Sequence, residues 1–359
     1  MTPLEQKIRR QIALTGPISI ATFWAQALFD PQHGYYTTKD PFGSNGDFIT
    51  APEVSQMFGE MLASWWVATV QTNGLNNTAL VEIGPGRGTL MADMLRTIAQ
   101  IDPKLRDSLC VHMVEASPRL AKIQQQALAN SGFKIEWHET PETLPEQPLG
   151  IIANELFDAI AIRQFEKTHS GWVERSIAID EQNELCFALG AAKLDEAIVP
   201  NSPAPLGTIF EYSPAREAFM QTLMQRIAMD GGFGLFIDYG HAKSGFGDTL
   251  QGLKSHEFAN VLSNIGTIDI TSHVDFEALG LATKLAGAKA LPVLEQGEFM
   301  SRIGIKERAE RLIKSAPEQS QNISAALNRL IDGEQMGRLF KVLGVSHPDI
   351  DLPAFDKQG

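Results

Sequence analysis

The sequence predicts an α/β protein built on a doubly wound, mostly parallel sheet. Residues 79–88 run from an apolar segment into an acid and then into three glycines on alternate positions. A stretch with helical spacing follows directly, so a strand, a tight turn and a helix come in order. Further along, apolar segments alternate with helical ones. This order favours parallel strands joined by crossover helices, with ligands at the carboxyl ends of the strands.

The remaining core strands are predicted from apolar segments bounded by turns, at residues 110–117, 133–138, 150–159 and 232–240, with a terminal strand near 288–294. Helices are predicted over 3–29 (two helices, broken at Gly16 and Pro17, the second capped by Ser19), 54–70, from Pro118 onwards, and over 214–229, 299–315 and 320–331. The domain prediction is N-terminal helices and a covering loop at 1–75, and a core at 76–160 and 214–300. Insertions at 161–213 and 241–270 form an α+β substrate region, the first of them an antiparallel layer, and C-terminal helices follow at 301–359.

Composition narrows the class of protein. The chain has 359 residues, 43% of them hydrophobic, and a net charge of −13, which disfavours a nucleic-acid surface. The apolar neighbours of Cys110 and Cys186 predict core positions, and no metal site is expected. No apolar run is long enough to span a bilayer, and the first residues do not resemble a secretory signal. We therefore expect a protein that neither binds nucleic acid nor inserts into a membrane, and that is cytoplasmic, or mitochondrial only if a targeting segment is missing from this sequence.

The glycine turn indicates the ligand. A dinucleotide-binding turn reads G-x-G-x-x-G, whereas here Glu82 precedes Gly84, Gly86 and Gly88 in a different register. This register resembles the first motif of class I S-adenosylmethionine (SAM) methyltransferases, whose cofactor has a cationic aminoacyl end and no phosphate. Glycines let backbone amides approach a ligand closely, and an acid beside the turn suits a cation. An ordinary strand–turn–helix is the alternative.

Glu115 stands at the end of the second core strand, as Glu82 stands at the end of the first. One strand–helix–strand unit separates the two acids, so adjacent parallel strands would bring both to the same sheet edge. A carboxylate at the end of the second strand can accept both hydroxyls of a ribose. The alternative is an acid favoured by the dipole of the next helix.

The fourth core strand ends in polar residues. Asn154 is assigned to the cofactor site, and Glu155 and Asp158 to catalysis or substrate orientation. Two acids three residues apart could grip a planar guanidinium, because its donors match carboxylates in pairs. Methyl transfer needs an aligned nucleophile, and an acid could also take up the released proton. Asp158 could instead simply cap the following turn.

A long loop at residues 31–53 is rich in glycine and proline, and long structured loops are often functional. It could cover the cofactor and place Asp47 or Thr50 at the aminoacyl end. Thr50 or Ser55 could equally cap the next helix. The roles of His273 and Asp275 stay open, because a single histidine in alternating sequence is more often structural than catalytic.

Taken together, these segments resemble one family, the MidA-like (DUF185-type) SAM-dependent methyltransferases, which include the mitochondrial complex I assembly-factor arginine methyltransferase. The matching segments run in order through the chain at residues 34–36, 46–53, 58–60, 82–91, 114–118, 154–159, 237–240, 269–276 and 336–341. The resemblance implies a class I, Rossmann-like fold with SAM as cofactor. It places the glycine motif on Gly84, Gly86 and Gly88, and the acid after the second strand on Glu115.

The resemblance further implies an enzyme that symmetrically dimethylates an arginine of a complex I subunit or a similar protein. Two departures affect the substrate side: Ile160 and Ala161 replace the usual Leu-Pro, and Ile265 replaces the proline before Gly266. Transfer of the fold and cofactor is therefore safer than transfer of the substrate. A homodimer stays open.

The first alternative to this function is a binding module. A non-catalytic SAM-binding assembly chaperone would keep the same pocket without chemistry. A glutamine-directed methyltransferase is disfavoured, because Asn-Glu-Leu-Phe stands at 154–157 where Asn-Pro-Pro-Tyr would clasp an amide. A dehydrogenase is disfavoured because the glycine register does not suit a pyrophosphate.

Overall fold

The computed structural model describes residues 1–38, 50–254 and 257–355. The helices are α1 Pro3–Thr15, α2 Ile20–Phe29, α3 Tyr35–Thr38, α4 Ala51–Val54, α5 Gln56–Thr72, α6 Thr89–Ile101, α7 Pro103–Ser108, α8 Pro118–Leu128, α9 Pro214–Asp230, α10 Phe276–Leu285, α11 Gln296–Arg302, α12 Ile305–Ser315, α13 Ser320–Ile331 and α14 Met336–Leu339. The strands are β1 Ile18–Ser19, β2 Ala79–Ile83, β3 Cys110–Val114, β4 Lys134–His138, β5 Leu149–Asn154, β6 Arg163–Thr168, β7 Gly171–Ile179, β8 Leu185–Leu194, β9 Ile209–Tyr212, β10 Gly232–His241, β11 Gln251–Lys254, β12 Glu257–Ala259, β13 Asp269–Thr271, β14 Val274–Asp275, β15 Lys289–Ala290, β16 Leu294–Glu295 and β17 Phe340–Ser346.

The chain forms two compact units. Unit 1 draws its described residues from Met1–Phe48, Phe157–Ala218 and Lys243–Asp275. Unit 2 draws them from Ile49–Leu156, Phe219–Ala242 and Phe276–Gly359.

Unit 2 contains the predicted parallel sheet. Its strands run in the order β4, β3, β2, β5, β10 and β17, with β15 and β16 paired to β17. The five strands from β4 to β10 are parallel, and β17 is antiparallel to β10. Because β2 lies between β3 and β5, the polar residues that follow these three strands meet at one edge. The predicted fold class is confirmed.

Helix α5 shows how closely this sheet is covered. The indole Nε1 of Trp66 donates to the carbonyl oxygen of Gly150 at 3.1 Å. A Cβ on Gly150 would stand 2.2 Å from that same Nε1, so only glycine allows the contact. Trp65 and Trp66 are both buried. The helix therefore belongs to the core of the sheet unit.

A buried ion-pair network joins α5 to two other helices of unit 2. The Glu60 side chain is 4% exposed, and its carboxylate receives two hydrogen bonds from Arg308, at 2.7 and 3.0 Å. Arg96 adds a third at 3.1 Å. A buried carboxylate is tolerated only with such partners, so this network fixes the packing of α5 against α6 and α12.

Unit 1 is largely antiparallel, as predicted for the first insertion. One sheet runs β1, β7, β6 and β9, with β8 paired to β7, and a second runs β12, β11 and β13. Helices α1 and α2 break at Gly16 and Pro17, and Ser19 caps α2 by accepting from the amide of Thr22. The apolar face of α2 is buried.

Several boundaries differ from the predictions. Strand β5 ends at Asn154 and not at residue 159, because Glu155 has a left-handed backbone (φ 54°) that ends the extended chain. The long terminal strand is β17, whereas the predicted segment at 288–294 contributes only the two-residue strands β15 and β16. That segment has Pro292 in its middle, and proline cannot donate to a strand ladder.

The units also differ from the predicted domains. Helix α5 lies in unit 2 and not with the N-terminal helices, since its tryptophans pack on the sheet. Residues after 300 also contribute to unit 2, where β17 extends the sheet. The prediction that Cys110 and Cys186 are core residues is wrong, because both are only partly buried. Among the helices of the described residues, none combines the length and apolarity needed to cross a bilayer.

Candidate active site

The glycine turn lies between β2 and α6. Gly84, Gly86 and Gly88 have φ values of 68°, 54° and 82°, in the left-handed region that favours glycine. Gly88 occupies the N-cap position of α6 and offers no side-chain cap. The first amides of α6 are thus left to a ligand or solvent, and the helix dipole favours an electron-rich partner there.

Glu82 is buried at the end of β2, with 3% of the residue exposed. Its Oε2 has no hydrogen-bond partner among the residues that the structure describes. Burial, and next the nearby Glu115 carboxylate, raise the pKa of Glu82 well above its usual value. A buried acceptor of this kind is costly unless something donates to it. The position therefore fits a cationic or hydrogen-bonding ligand group.

Glu115 stands on the neighbouring strand, directly after β3. The register pairs Ile83 with Val114, which places the Glu115 backbone at the same sheet edge as the glycine turn, as predicted. Its Oε1 accepts from the amide of Ser117 at 2.8 Å, and its Oε2 accepts from Gln124 Nε2 at 3.0 Å. Burial raises the pKa of Glu115, and these two donors act against that rise. The carboxylate is held in one orientation before any ligand arrives.

Gln124 is absent from the residues predicted from the sequence. Its Nε2 also donates to the Gly86 carbonyl oxygen at 2.9 Å, and its Oε1 accepts from Trp137 Nε1 at 3.1 Å. A sequence signal did exist. Gln124 takes the middle place in a leucine spacing on α8, between Leu120 and Leu128, where the pattern calls for an apolar residue.

The end of β5 is arranged differently. Asn154 Nδ2 donates to Glu155 Oε1 at 3.0 Å, while the buried Asn154 Oδ1 finds no hydrogen-bond partner in the described ranges. Glu155 keeps φ at 54°, and its amide donates to the carbonyl oxygen of Ile237 on β10 at 2.9 Å. A non-glycine residue in this region carries strain, and such strain is concentrated at functional sites. The structure thus brings Glu82, the glycines, Glu115, Asn154 and Glu155 to one edge of the same sheet.

Asp158 belongs to unit 1, where it is buried. Its Oδ2 accepts from Thr271 Oγ1 at 3.1 Å, and its backbone oxygen accepts from the Arg216 guanidinium at 3.2 Å. Asp269, in the same unit, accepts from the Tyr36 hydroxyl at 3.1 Å. Burial, followed by the charges of Asp269 and Asp158, raises the pKa of Tyr36 well above its usual value. The catalytic role of Asp158 stays a prediction.

The other predicted site residues receive less support. Thr50 precedes α4 without a side-chain capping bond, whereas Ser55 caps α5 by accepting from the amide of Met57. Asp47 lies outside the described residues. His273 bonds through its backbone, to Thr249 and Arg216. The negative charge of Asp275 contributes, after burial, to a raised pKa of Glu217.

One cluster has metal-ligand chemistry. Ligand atoms of Cys110, His112 and Glu136 lie within 4.8 Å of one another in the described part of the chain. Lys134 already pairs with Glu136 at 2.6 Å, so a cation partner for that carboxylate is present. The cluster lies on β3 and β4, but its residues follow neither strand end.

Residues 61–293 match a family model described as "Putative S-adenosyl-L-methionine-dependent methyltransferase". The chain belongs to this methyltransferase family. The predicted enzyme class and its SAM cofactor are thereby confirmed. The site residues fit this cofactor, since the positive φ values of Gly84, Gly86 and Gly88 let backbone amides approach a ligand closely and Glu82 offers an unsatisfied acceptor.

The methyltransferase has curated relatives over nearly its full length. It is 35% identical to the mouse protein named protein arginine methyltransferase NDUFAF7, mitochondrial, covering 95% of this chain and 83% of the relative. The human protein of the same name is 33% identical, with 95% and 82% covered. Because these relatives are named mitochondrial, the prediction of a cytoplasmic protein is contradicted and is withdrawn.

A solved structure agrees with the cofactor assignment. The crystal structure of a Burkholderia thailandensis protein bound to S-adenosyl-homocysteine (SAH) matches with a TM-score of 0.86 and 29% identity. The match covers 99% of this chain and 94% of that one. SAH is the product that remains when SAM loses its methyl group, so this neighbour was captured with the product of such a reaction.

Proposed function

We propose that this enzyme transfers methyl groups from SAM to an arginine side chain of a protein. Two things support the target class: the names of the relatives, and the strained acid Glu155 at the end of β5. The single observation that carries the proposal is that Glu155 follows the strand beside β2, at the same sheet edge as the glycine turn. A carboxylate in that place suits a guanidinium, whose paired donors it matches.

The residues at the different strand ends have different roles in binding and catalysis. SAM supplies an electrophilic methyl group next to a positive sulfur. Glu115 accepts hydrogen bonds from the ribose hydroxyls, and Glu82 and Asn154 offer buried acceptors to the aminoacyl end. Glu155 orients the guanidinium so that one nitrogen lone pair lies in line with the methyl carbon. That nitrogen would receive the methyl group of bound SAM, and Glu155 or water would take the proton that the nitrogen releases.

We also propose the specific product and target that the resemblance implies. The product is symmetric dimethylarginine, and the target is a complex I subunit or a similar protein. The acidic chain, with a net charge of −13, would attract a basic segment around the target arginine. We propose in addition that the enzyme forms a homodimer.

The alternative is an assembly chaperone that binds SAM without chemistry, and two measurements separate it from an enzyme. Titration calorimetry with SAH first establishes binding, which we expect Glu115→Ala to weaken about 100-fold, because two hydrogen bonds to a charged group are lost. Purified enzyme is then incubated with SAM and protein extract from cells that lack the gene, and arginine methylation is read by mass spectrometry.

Each outcome decides between the two. Methylated arginine that appears only with the wild-type enzyme supports the proposal. Tight SAH binding without methylation of any extract protein would contradict the enzyme and support the assembly chaperone. Unchanged SAH binding by Glu115→Ala would remove the proposed ribose contact.

A further inference from the structure

Gln124 is a polar residue in a position built for an apolar one. Helix α8 buries three residues, Leu120, Gln124 and Leu128, spaced four apart on one face. Gln124 is 0% exposed, whereas the next two residues, Gln125 and Gln126, are exposed. Burying an amide costs free energy unless its donors and acceptor are bonded. A leucine would fill this stripe without that cost, so a buried amide here needs another reason.

The amide of Gln124 connects three strand ends. Its Nε2 donates to the Gly86 carbonyl oxygen at 2.9 Å and to Glu115 Oε2 at 3.0 Å. Its Oε1 accepts from Trp137 Nε1 at 3.1 Å. The indole N–H can only donate, so the atom facing Trp137 must be the oxygen, and both amide hydrogens must point at Gly86 and Glu115. The orientation of the amide is thereby fixed.

The same side chain lies beside the turn. A Cβ on Gly88 would stand 3.5 Å from Gln124 Cγ and 3.6 Å from its Cα, which is ordinary contact distance. Gln124 therefore lies next to one glycine of the turn and hydrogen-bonds the carbonyl of another. Together with Ser117, it leaves each oxygen of the Glu115 carboxylate with a donor inside the protein.

We propose that Gln124 is a positioning residue for the nucleoside: its amide holds the Glu115 carboxylate and the Gly86 peptide in the orientation that receives the ribose. The proposal rests on the proposed ribose contact of Glu115. Gln124 itself need not touch the cofactor. Its removal should weaken cofactor binding and leave the chemical step alone, because Glu155 lies at a different strand end.

The test compares the same substitution at neighbouring positions of α8. In Gln124→Leu the apolar stripe is completed and the amide is lost, whereas in Gln125→Leu an exposed glutamine changes and Glu115 keeps its partners. We expect the Kd for SAH to rise about tenfold in Gln124→Leu and to stay within about twofold in the control. In turnover assays the KM for SAM should rise by a similar factor, with kcat at saturating SAM unchanged.

A double-mutant cycle separates positioning from general support of the fold. If Gln124 acts through Glu115, adding Gln124→Leu to Glu115→Ala should weaken SAH binding much less than it does in the wild type. An equal loss in both backgrounds overturns the proposal, as does a Kd for Gln124→Leu that matches wild type. The Trp137 indole resonance should also shift in Gln124→Leu and not in Gln125→Leu.

Two further controls distinguish failure of the positioning role from unfolding of the variant and from failure of the ribose assignment. Gln124→Met, which is unbranched and close to glutamine in length, replaces the leucine variant if that variant unfolds, with the same expected tenfold loss and the same contradicting outcome. If Glu115→Ala binds SAH like wild type, the ribose assignment itself fails. If Glu115→Ala fails to bind and Gln124→Leu binds normally, only the positioning role fails.

Discussion

The two sides of the candidate site differ in how fully their polar groups are bonded. On the β3–β4 side, defined by Glu115, Gln124 and Trp137, both carboxylate oxygens and the amide of Gln124 have partners inside the protein. On the β2–β5 side, defined by Glu82, Asn154 and Glu155, two buried side-chain oxygens have no partner among the described residues, and one backbone is strained.

This difference indicates that the two sides of the site have different functions. A fully bonded group is preorganised and needs no rearrangement to bind, which suits the constant part of a cofactor. Unsatisfied acceptors and strain are tolerated where a ligand or the reaction completes the site. We therefore propose that the β3–β4 side recognises the nucleoside, and that the β2–β5 side contacts the aminoacyl end and the methyl acceptor.

The largest expected effect separates binding from chemistry at Glu155. In Glu155→Gln the side chain keeps its size but loses its charge, so it can neither pair with a guanidinium nor take its proton. We expect kcat to fall about 100-fold or more, with SAH affinity unchanged within about twofold. Single-turnover methylation and calorimetry measure the two quantities. Glu146→Gln, an exposed position before β5, is the matched control. Normal turnover in Glu155→Gln would remove Glu155 from the mechanism.

A smaller effect tests the strain itself. Glycine adopts φ values near 54° readily, so Glu155→Gly should raise the free energy of unfolding by about 1 kcal/mol while abolishing turnover. Asn183→Gly, at φ 61° in the hairpin turn between β7 and β8, should gain less, because asparagine tolerates this region. Urea denaturation of both variants checks the difference. Equal gains, or a loss at Glu155, would show that the acid carries no special strain.

The smallest effect concerns Glu82 and pH. Because the folded-state pKa of Glu82 is raised above its unfolded value, its contribution to stability is fully present at low pH. That contribution is lost as the pH rises through the folded-state pKa. Glu82→Gln stays neutral throughout, so without ligand its Tm should match wild type near pH 4 and exceed it by about 2 °C near pH 8.

Adding SAH near pH 8 should make the Tm of the wild type higher than that of Glu82→Gln, because the variant loses a ligand contact. A Tm difference that does not change with pH would contradict the raised pKa. Thermal melts from pH 4 to pH 8 with and without SAH provide the measurement, and Glu146→Gln again serves as the control.

Much of unit 2 could be predicted because its signals are local. The glycine turn, the polar residue after each strand and the helix opened by Pro118 follow from short stretches of sequence. The pairing of strands is not local, and strand β17 was not predicted from the sequence for that reason. Its place beside β10 depends on contacts between residues a hundred positions apart in the chain. The backbone of Glu155 was equally unpredictable, since nothing in Asn-Glu-Leu-Phe requires a positive φ.

The functional residues divide in the same way. Glu82 and Glu115 were predicted from their places at strand ends, and the parallel pairing of β2 with β3 brings their backbones to one edge. Gln124 was missed because its partners come from three different strands, although a glutamine within a leucine spacing was visible. Asp158 was predicted as a companion to Glu155 from sequence distance, and within unit 1 it bonds Thr271.

The bond between Trp137 and Gln124 has a practical consequence. The other tryptophans are at most 2% exposed and lie in hydrophobic cores, so their emission should be steady. Trp137 is only partly buried and donates to the Gln124 amide, whose Nε2 in turn donates to the carboxylate that is proposed to receive the sugar. Loading the nucleoside should therefore alter the fluorescence of one indole, and the enzyme would report its own occupancy without a label.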